Sequence, residues 1–168
     1  MAKRKAVYAG SFDPVTNGHL YMIREGARLF DEFVVAVGTN PEKRYSFTAD
    51  ERLAMLRAVT RGMRNVRIMQ MEGVFLVDFA RSVGASYILR GIRNEADYLY
   101  ERTMRNVNDD MRPEITTVFL IPPREIADVS SSFVKGLVGP EGWERVVARY
   151  LPKEVCKMLC GRPGAKGA

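Results

Sequence analysis

Residues 6–19 read AVYAGSFDPVTNGH and contain the only histidine of the chain, His19. The apolar run at 6–9 predicts a short strand that ends at Gly10, and the turn residues after it lead into a helix. In α/β proteins, a strand followed by a glycine-bounded turn and a helix presents backbone N–H groups to phosphate. An imidazole at the start of that helix adds a donor aimed at the same place. The stretch therefore predicts an α/β fold with an anion site at its first turn, the alternative being that His19 merely caps the helix.

Strand-like and helix-like segments alternate along the rest of the chain. Apolar, β-branched runs predict further strands over residues 33–37, 66–71, 87–89 and 117–121. Helical spacing of apolar residues and a Thr48–Glu51 capping box predict helices over residues 20–30, 48–60, 76–83, 96–110, 131–137, 143–150 and 153–160.

This alternation predicts one α/β domain over residues 1–160, built as a doubly wound parallel, Rossmann-like sheet with C-terminal helices. Ligands of such sheets bind at the carboxyl ends of the strands, near the point where the strand order reverses. Residues 161–168 lack large apolar side chains, and we expect them to form a disordered tail.

Composition narrows the class of partner. The chain has 168 residues, a formal net charge of +6 and a pI of about 9.5. A basic protein suits substrates with several phosphates, and it equally suits nucleic acid. No apolar run approaches the roughly 20 residues of a membrane span, and the start has no export signal, so we expect a cytoplasmic protein. Metal binding through Cys156 and Cys160 would need further ligands, and the only histidine is far away in sequence, which favours reduced thiols and no protein-bound metal.

Two further segments carry anion donors. Ser130, Ser131 and Ser132 offer three hydroxyl groups at a predicted helix start, with Lys135 one turn later. Taken alone, this serine cluster is better interpreted as an ordinary helix N-cap.

Cationic residues follow two of the predicted strands. Arg90 and Arg93 flank Gly91 and could grip phosphate oxygens in pairs, whereas isolated arginines would favour a solvated loop. Lys43 and Arg44 form a second cationic loop for which the two interpretations are evenly matched.

The chemistry indicated is transfer of a phosphoryl or nucleotidyl group. No Ser–His–carboxylate or Cys–His arrangement is suggested by the spacing, and no Walker-type phosphate loop is present. Cations and N–H donors suffice for such transfer, because the enzyme mainly positions the reactants and stabilises charge on oxygen.

The ordered set of motifs resembles the nucleotidyltransferase superfamily that carries a [His/Thr]-x-Gly-His signature. Within it, the chain is most similar to the bacterial phosphopantetheine adenylyltransferase family, over about residues 5–152. The residues that carry the resemblance are, in order, Thr16-Asn17-Gly18-His19, Phe47-Thr48-x-x-Glu51-Arg52, Arg90-Gly91-Ile92-Arg93, Asp97-Tyr98, Tyr100-Glu101 and Ser130-Ser131-Ser132.

The resemblance implies that the phosphate of 4′-phosphopantetheine attacks the α-phosphorus of ATP, giving dephospho-coenzyme A and pyrophosphate. It also implies Mg²⁺ on the triphosphate and a homohexamer. Catalytic roles would fall to His19, Lys43 and Arg93. ATP would contact Ser11, Phe12, His19, Gly91, Ile92, Arg93, Glu101, Ile126, Ala127, Asp128, Val129, Ser130, Ser131 and Ser132. The acceptor would contact Ser11, Lys43, Leu76 and Arg90.

Two departures from the family pattern concern these contacts. Ile126-Ala127-Asp128 lacks the aromatic residue and the following serine expected before the triple serine, and Val74-Phe75 replaces a Gly-Leu pair.

Two rival functions remain open from the sequence. One is a cytidylyltransferase that acts on a phospho-alcohol, although those enzymes usually have His where this chain has Thr16. The other is a basic nucleic-acid-binding module, which would account for the charge but leave His19 and the glycine turn without a role.

Overall fold

Five parallel strands form the central sheet in the computed structural model, which describes residues 3–40 and 43–162. The strands are β1 (Lys5–Gly10), β2 (Glu32–Gly38), β3 (Val66–Met71), β4 (Tyr87–Gly91) and β5 (Thr116–Leu120). Their order is β3-β2-β1-β4-β5. The chain moves outward from β1 to β3 and then returns to pair β4 on the other side of β1. This reversal opens a crevice at the carboxyl ends of β1 and β4, where such folds bind ligands.

Helices connect and cover the strands. They are α1 (Asn17–Leu29), α2 (Ala49–Val59), α3 (Leu76–Ser82), α4 (Glu95–Met111), α5 (Arg124–Ala127), α6 (Ser131–Gly136), α7 (Trp143–Val147) and α8 (Lys153–Cys160). The predicted α/β class is confirmed, and the predicted elements recur with shifts of a few residues at their ends. The short helix α5 was not predicted, because a single turn carries no apolar period that a sequence pattern can reveal.

Alternating side chains of the strands build a core on each face of the sheet. Phe33, Val35 and Val37 of β2 face one layer, which includes α1, α2 and the C-terminal helices. Val34 and Ala36 face the other layer, which includes α3. Because both faces are covered, β2 reads as a continuous apolar run in the sequence.

The start of α2 follows its predicted capping box. The Thr48 backbone N–H donates to Glu51 Oε2 at 2.7 Å, and the Glu51 N–H donates to Thr48 Oγ1 at 3.2 Å. Leu53 and Leu56 are buried, whereas Val59 is half-buried. The cap orients α2 so that its first turn lies beside the crevice.

The C-terminal end of the described chain folds back on this region. Of the predicted tail, Gly161 and Arg162 are described, and residues 163–168 lie outside the described residues. The guanidinium of Arg162 stacks over the ring of Phe47 at 4.4 Å and forms an ion pair with Glu51 at 3.5 Å. In the described ranges, no helix has both the length and the apolar character needed to cross a bilayer.

Close packing of α1 on β2 predicts a specific sensitivity at Gly26. A Cβ at this position would lie 2.2 Å from the ring of Phe33. We expect Gly26→Ala to lower the free energy of unfolding by about 1–3 kcal/mol, because the buried ring must move. Urea unfolding monitored by circular dichroism measures the change.

Gly136→Ala is the matched control, since a Cβ there meets nothing within 4 Å. This control should be neutral or slightly stabilising. An unfolding midpoint for Gly26→Ala equal to that of the unsubstituted chain would contradict the proposed packing.

Candidate active site

The turn after β1 brings an aromatic ring against the single histidine. Phe12 has a φ of 52°, and its ring is fully buried. That ring meets the imidazole of His19 edge-on, with their centroids 5.0 Å apart. The contact fixes one side of the imidazole within the protein.

Thr16 and His19 exchange hydrogen bonds at the start of α1. The Thr16 hydroxyl accepts from the His19 backbone N–H at 3.3 Å, and the Thr16 backbone N–H donates to His19 Nδ1 at 3.1 Å. Because Nδ1 is an acceptor, a neutral ring carries its hydrogen on Nε2. Burial, aided by the positive charge of Arg93, lowers the pKa of His19 to about 4. At neutral pH the imidazole is therefore an uncharged Nε2–H donor.

The carboxylate of Asp13 joins three separate parts of the chain. It is almost completely buried and accepts the backbone N–H groups of Ser46 at 3.0 Å and Phe47 at 2.8 Å. Lys135 Nζ lies 2.9 Å from the same carboxylate. Asp13 thus holds the first turn, the segment before α2 and helix α6 together around the crevice.

Two arginines at the crevice are each paired with a carboxylate of α4. Nε of Arg90 lies 2.9 Å from both carboxylate oxygens of the buried Glu101, and Arg90 also donates to the Ala9 carbonyl at 3.1 Å. Arg93 donates to Asp97 through Nε at 2.7 Å and Nη2 at 3.1 Å. These hydrogen bonds from Arg93 lower the pKa of Asp97. Both guanidinium groups are therefore oriented before any ligand arrives.

The serine cluster combines capping with contact to the first turn. Ser130 caps α6 by accepting the Phe133 N–H at 3.1 Å, so the helix-cap interpretation is right for this residue. The Ser131 hydroxyl donates to the Pro14 carbonyl at 2.8 Å. All three serines also line the cavity described next.

Gly18 permits the close approach of the segment that leads into those serines. A Cβ at Gly18 would lie 2.9 Å from the Val129 carbonyl. The same carbonyl accepts from the Thr16 hydroxyl at 3.5 Å. The first turn of α1 and the segment before α6 therefore form two walls of one site.

A cavity of about 430 Å³ lies between these walls. It brings together residues that are spread over more than a hundred positions of the sequence. The predicted site residues that line it are Ser11, Phe12, His19, Lys43, Arg90, Gly91, Arg93, Glu101, Ile126, Val129, Ser130, Ser131 and Ser132.

A second, more apolar cavity of about 320 Å³ adjoins the first. Ser11, Arg90 and Glu101 line both cavities, and Leu76 lines only the second. The wall beyond them is formed by side chains from β3, α4 and the start of α3, namely Met71, Phe75, Tyr100, Met104, Val107, Asn108 and Met111.

Three predicted site residues line neither cavity: Ile92, Ala127 and Asp128. The backbone N–H of Ile92 donates to the Leu120 carbonyl at 2.9 Å, which continues the pairing of β4 with β5. Asp128 is the exposed residue that ends α5. Their neighbours Ile126 and Val129 face the cavity, because this segment turns between them.

Several residues that line the first cavity were not predicted as site residues, including Asp13, Tyr45 and Asp97. The four-residue spacing of Arg93, which precedes the N-cap Asn94, and Asp97 in the first turn of α4 is a signal that could have revealed their ion pair. Asp13 offers no such signal, since its partners lie 33 to 122 positions away.

Comparison with known proteins places this geometry in a family. The cytidylyltransferase-like family model matches residues 7–136. The chain is 60% identical over 156 residues to the phosphopantetheine adenylyltransferase of Chromobacterium violaceum, covering 93% of this chain and 95% of that protein. It is 43% identical over 164 residues to the enzyme of the same name from Lacticaseibacillus paracasei, covering 98% and 96%.

A solved structure supports the fold independently of close sequence similarity. The nicotinic acid mononucleotide adenylyltransferase of Plasmodium falciparum, solved in complex with NaAD, superposes with a TM-score of 0.70 at 14% identity, covering 95% of each chain. At that identity the likeness concerns the fold alone. The family model and the relatives at 60% and 43% identity show more than the fold. The chain belongs to the cytidylyltransferase-like family and, within it, to the phosphopantetheine adenylyltransferases.

Proposed function

We propose that this chain transfers the adenylyl group of ATP to the phosphate of 4′-phosphopantetheine, giving dephospho-coenzyme A and pyrophosphate. The observation that carries the proposal is the junction of the two cavities at Ser11 and Arg90. One cavity is rich in donors for phosphate, and the other offers apolar side chains. Two ligands bound side by side would meet where these residues line both cavities, as direct transfer between two substrates requires. The names of the relatives supply the identity of the substrates.

ATP would occupy the first cavity. His19 and the serines at 130–132 line it from two sides and would supply N–H and hydroxyl donors to the phosphate chain. Arg93 would add positive charge, at the expense of part of its interaction with Asp97. Ser11, Phe12, Gly91, Glu101, Ile126 and Val129 complete the proposed lining. Ile92, Ala127 and Asp128 line neither cavity, so their contact with ATP would require a local rearrangement.

The acceptor would occupy the second cavity and reach into the first. Leu76 lies among the apolar side chains that would pack against the uncharged pantetheine arm. Lys43 and Arg90 line the first cavity, where their positive charges would hold the acceptor phosphate beside Ser11. The two charges suit this task because phosphate oxygens accept several charge-assisted hydrogen bonds.

The chemistry then needs no enzyme nucleophile and no strong base. An oxygen of the acceptor phosphate forms a bond to the α-phosphorus of ATP, and the bond from that phosphorus to the oxygen bridging to the β-phosphate breaks, releasing pyrophosphate. The acceptor oxygen is already anionic at neutral pH. The Nε2–H of His19 would donate to an α-phosphate oxygen as negative charge concentrates there, while Lys43 and Arg93 stabilise the same charge.

Mg²⁺ would enter as part of the nucleotide substrate. The cavity carboxylates Asp13, Asp97 and Glu101 are all engaged by cations or backbone N–H groups. No cluster of three or more potential metal-ligating side chains occurs in the part of the chain that the structure describes. Because these carboxylates are already engaged, phosphate oxygens and water would hold the magnesium ion. The ion would neutralise charge on the triphosphate.

We also propose that the chain acts in the cytoplasm, where ATP is made. It would form a homo-oligomer there, a hexamer by family resemblance. The exposed side chains of Tyr98 and Leu99 on helix α4, which line neither cavity, favour self-association. A second copy of the chain could cover this surface.

Pyrophosphate release with two nucleotides tests the reaction. We expect release when the chain is mixed with 4′-phosphopantetheine, Mg²⁺ and ATP, and a much smaller rate with CTP in place of ATP. A coupled phosphate assay with added pyrophosphatase measures both rates, with pantetheine lacking the phosphate as the control acceptor. Turnover with CTP but not with ATP would favour a cytidylyltransferase and overturn the assignment.

Replacement of His19 tests its role in the transition state. We expect His19→Ala to lower kcat by about 10²–10³, as loss of one donor to a developing charge does. The affinity for ATP should change little, because the serine cluster and Arg93 still bind the nucleotide.

Isothermal titration measures ATP binding, and the melting temperature monitors the loss of the Thr16–His19 cap. His19→Asn is a useful control, since its amide oxygen can still accept the Thr16 N–H. Near-normal kcat in His19→Ala would refute the assigned role.

A further inference from the structure

Arg52 is a buried cation whose contacts lie at the carboxyl ends of two neighbouring strands, β1 and β2. It lies on α2, is 1% exposed, and donates through Nη1 to the carbonyls of Ser11 at 2.8 Å and Gly38 at 3.2 Å. Its Nε lies 3.4 Å from the Thr48 carbonyl. One side chain therefore links the end of β1, the end of β2 and the cap of α2.

The same guanidinium also contacts Tyr45, the residue that follows Lys43 and Arg44. It stacks over the ring of Tyr45 at 4.1 Å from the ring centroid. The Tyr45 hydroxyl in turn accepts the backbone N–H of Asn40 at 2.7 Å. Tyr45 thus contacts Asn40 and directly follows Lys43 and Arg44 in the sequence.

The residues that Arg52 holds are those at the cavity junction. Ser11 and Tyr45 line both cavities, and Gly38 lines the second. Arg52 itself lines neither cavity. Its influence on a ligand would therefore pass through the residues that it fixes and through the positive field of its charge.

A role in filling the core alone does not account for this choice of residue. Burying a guanidinium is costly unless its charge is compensated, and an apolar side chain of similar volume would often be at least as stabilising. Within residues 3–40 and 43–162, Arg52 forms no ion pair with a carboxylate. Its compensation there comes from carbonyl dipoles and an aromatic face.

We infer that Arg52 is a positioning residue for the transfer reaction, an inference that rests on the proposed function. Its planar fork fixes Ser11 and Tyr45 relative to each other at the point where the two substrates would meet. Its charge also favours phosphate at that point. Lysine cannot replace it fully, because a single ammonium group lacks both the fork and the flat face that stacks on Tyr45.

Arg52→Lys is the primary test, and Arg57→Lys is its matched control. Arg57 is exposed on the same helix, so the control makes the identical substitution away from the crevice. We expect Arg52→Lys to lower kcat at least about tenfold, since small displacements at a reaction centre carry large rate penalties. The KM values for ATP and 4′-phosphopantetheine should each stay within about threefold, because most of their proposed contacts lie beyond the junction.

Circular dichroism and the melting temperature distinguish positioning from folding. A fall in kcat with the KM values and melting temperature near those of the unsubstituted chain supports the inference. Unchanged kcat overturns it. So does a fall in kcat that accompanies a lower melting temperature and a rise in both KM values, since that pattern marks a general structural role.

Amide hydrogen exchange supplies a readout that does not depend on turnover. The N–H groups of Ser46 and Phe47 bind Asp13 and lie directly after Tyr45. They should exchange faster in Arg52→Lys than in Arg57→Lys, and equal rates would overturn the inference. If the unsubstituted chain lacks turnover with both substrates, the proposed function fails, and amide exchange alone decides whether Arg52 fixes the loop.

Discussion

The reciprocal hydrogen bonds of Thr16 and His19 are the constraint on which the site depends. They end the turn after β1, begin α1 and select the neutral imidazole tautomer in one step. A glutamate commonly fills the third helical position of such a capping box. Histidine in that position satisfies the same backbone N–H and leaves Nε2–H available as a donor. The helix cap uses Nδ1 of this ring, and the proposed transition-state donor would use Nε2.

Around that histidine, three cations of the cavity are already engaged with carboxylates. Arg90 is held by Glu101, Arg93 by Asp97 and Lys135 by Asp13. These pairs fix the side chains in place and reduce the repulsion among like charges before phosphate binds. Because these side chains are already oriented in the free protein, the site resembles the preorganised electrostatic environments that stabilise developing charge. Substrate phosphates would then compete with carboxylates for the same donors, a form of recognition that depends on geometry as well as on net charge.

Features encoded by neighbouring residues could be predicted from the sequence, and features made by distant contacts could not. The Thr48–Glu51 cap and the apolar run of β2 are local patterns, and both recur in the structure. Most predicted site residues line one cavity because they follow parallel strands whose carboxyl ends share an edge. The engagement of Asp13 with Lys135, and of Arg52 with the carbonyls of Ser11 and Gly38, joins segments that only the folded topology brings together.

The central claim is that His19 acts as a neutral Nε2–H donor rather than as a charged group. Because the chain has a single histidine, ¹⁵N NMR of the imidazole observes this ring without ambiguity. The free protein should have hydrogen on Nε2 and none on Nδ1 at pH 7, and the ring should remain neutral until the pH approaches its pKa of about 4. A ring protonated on both nitrogens at pH 7, or a neutral ring with hydrogen on Nδ1, would contradict the account.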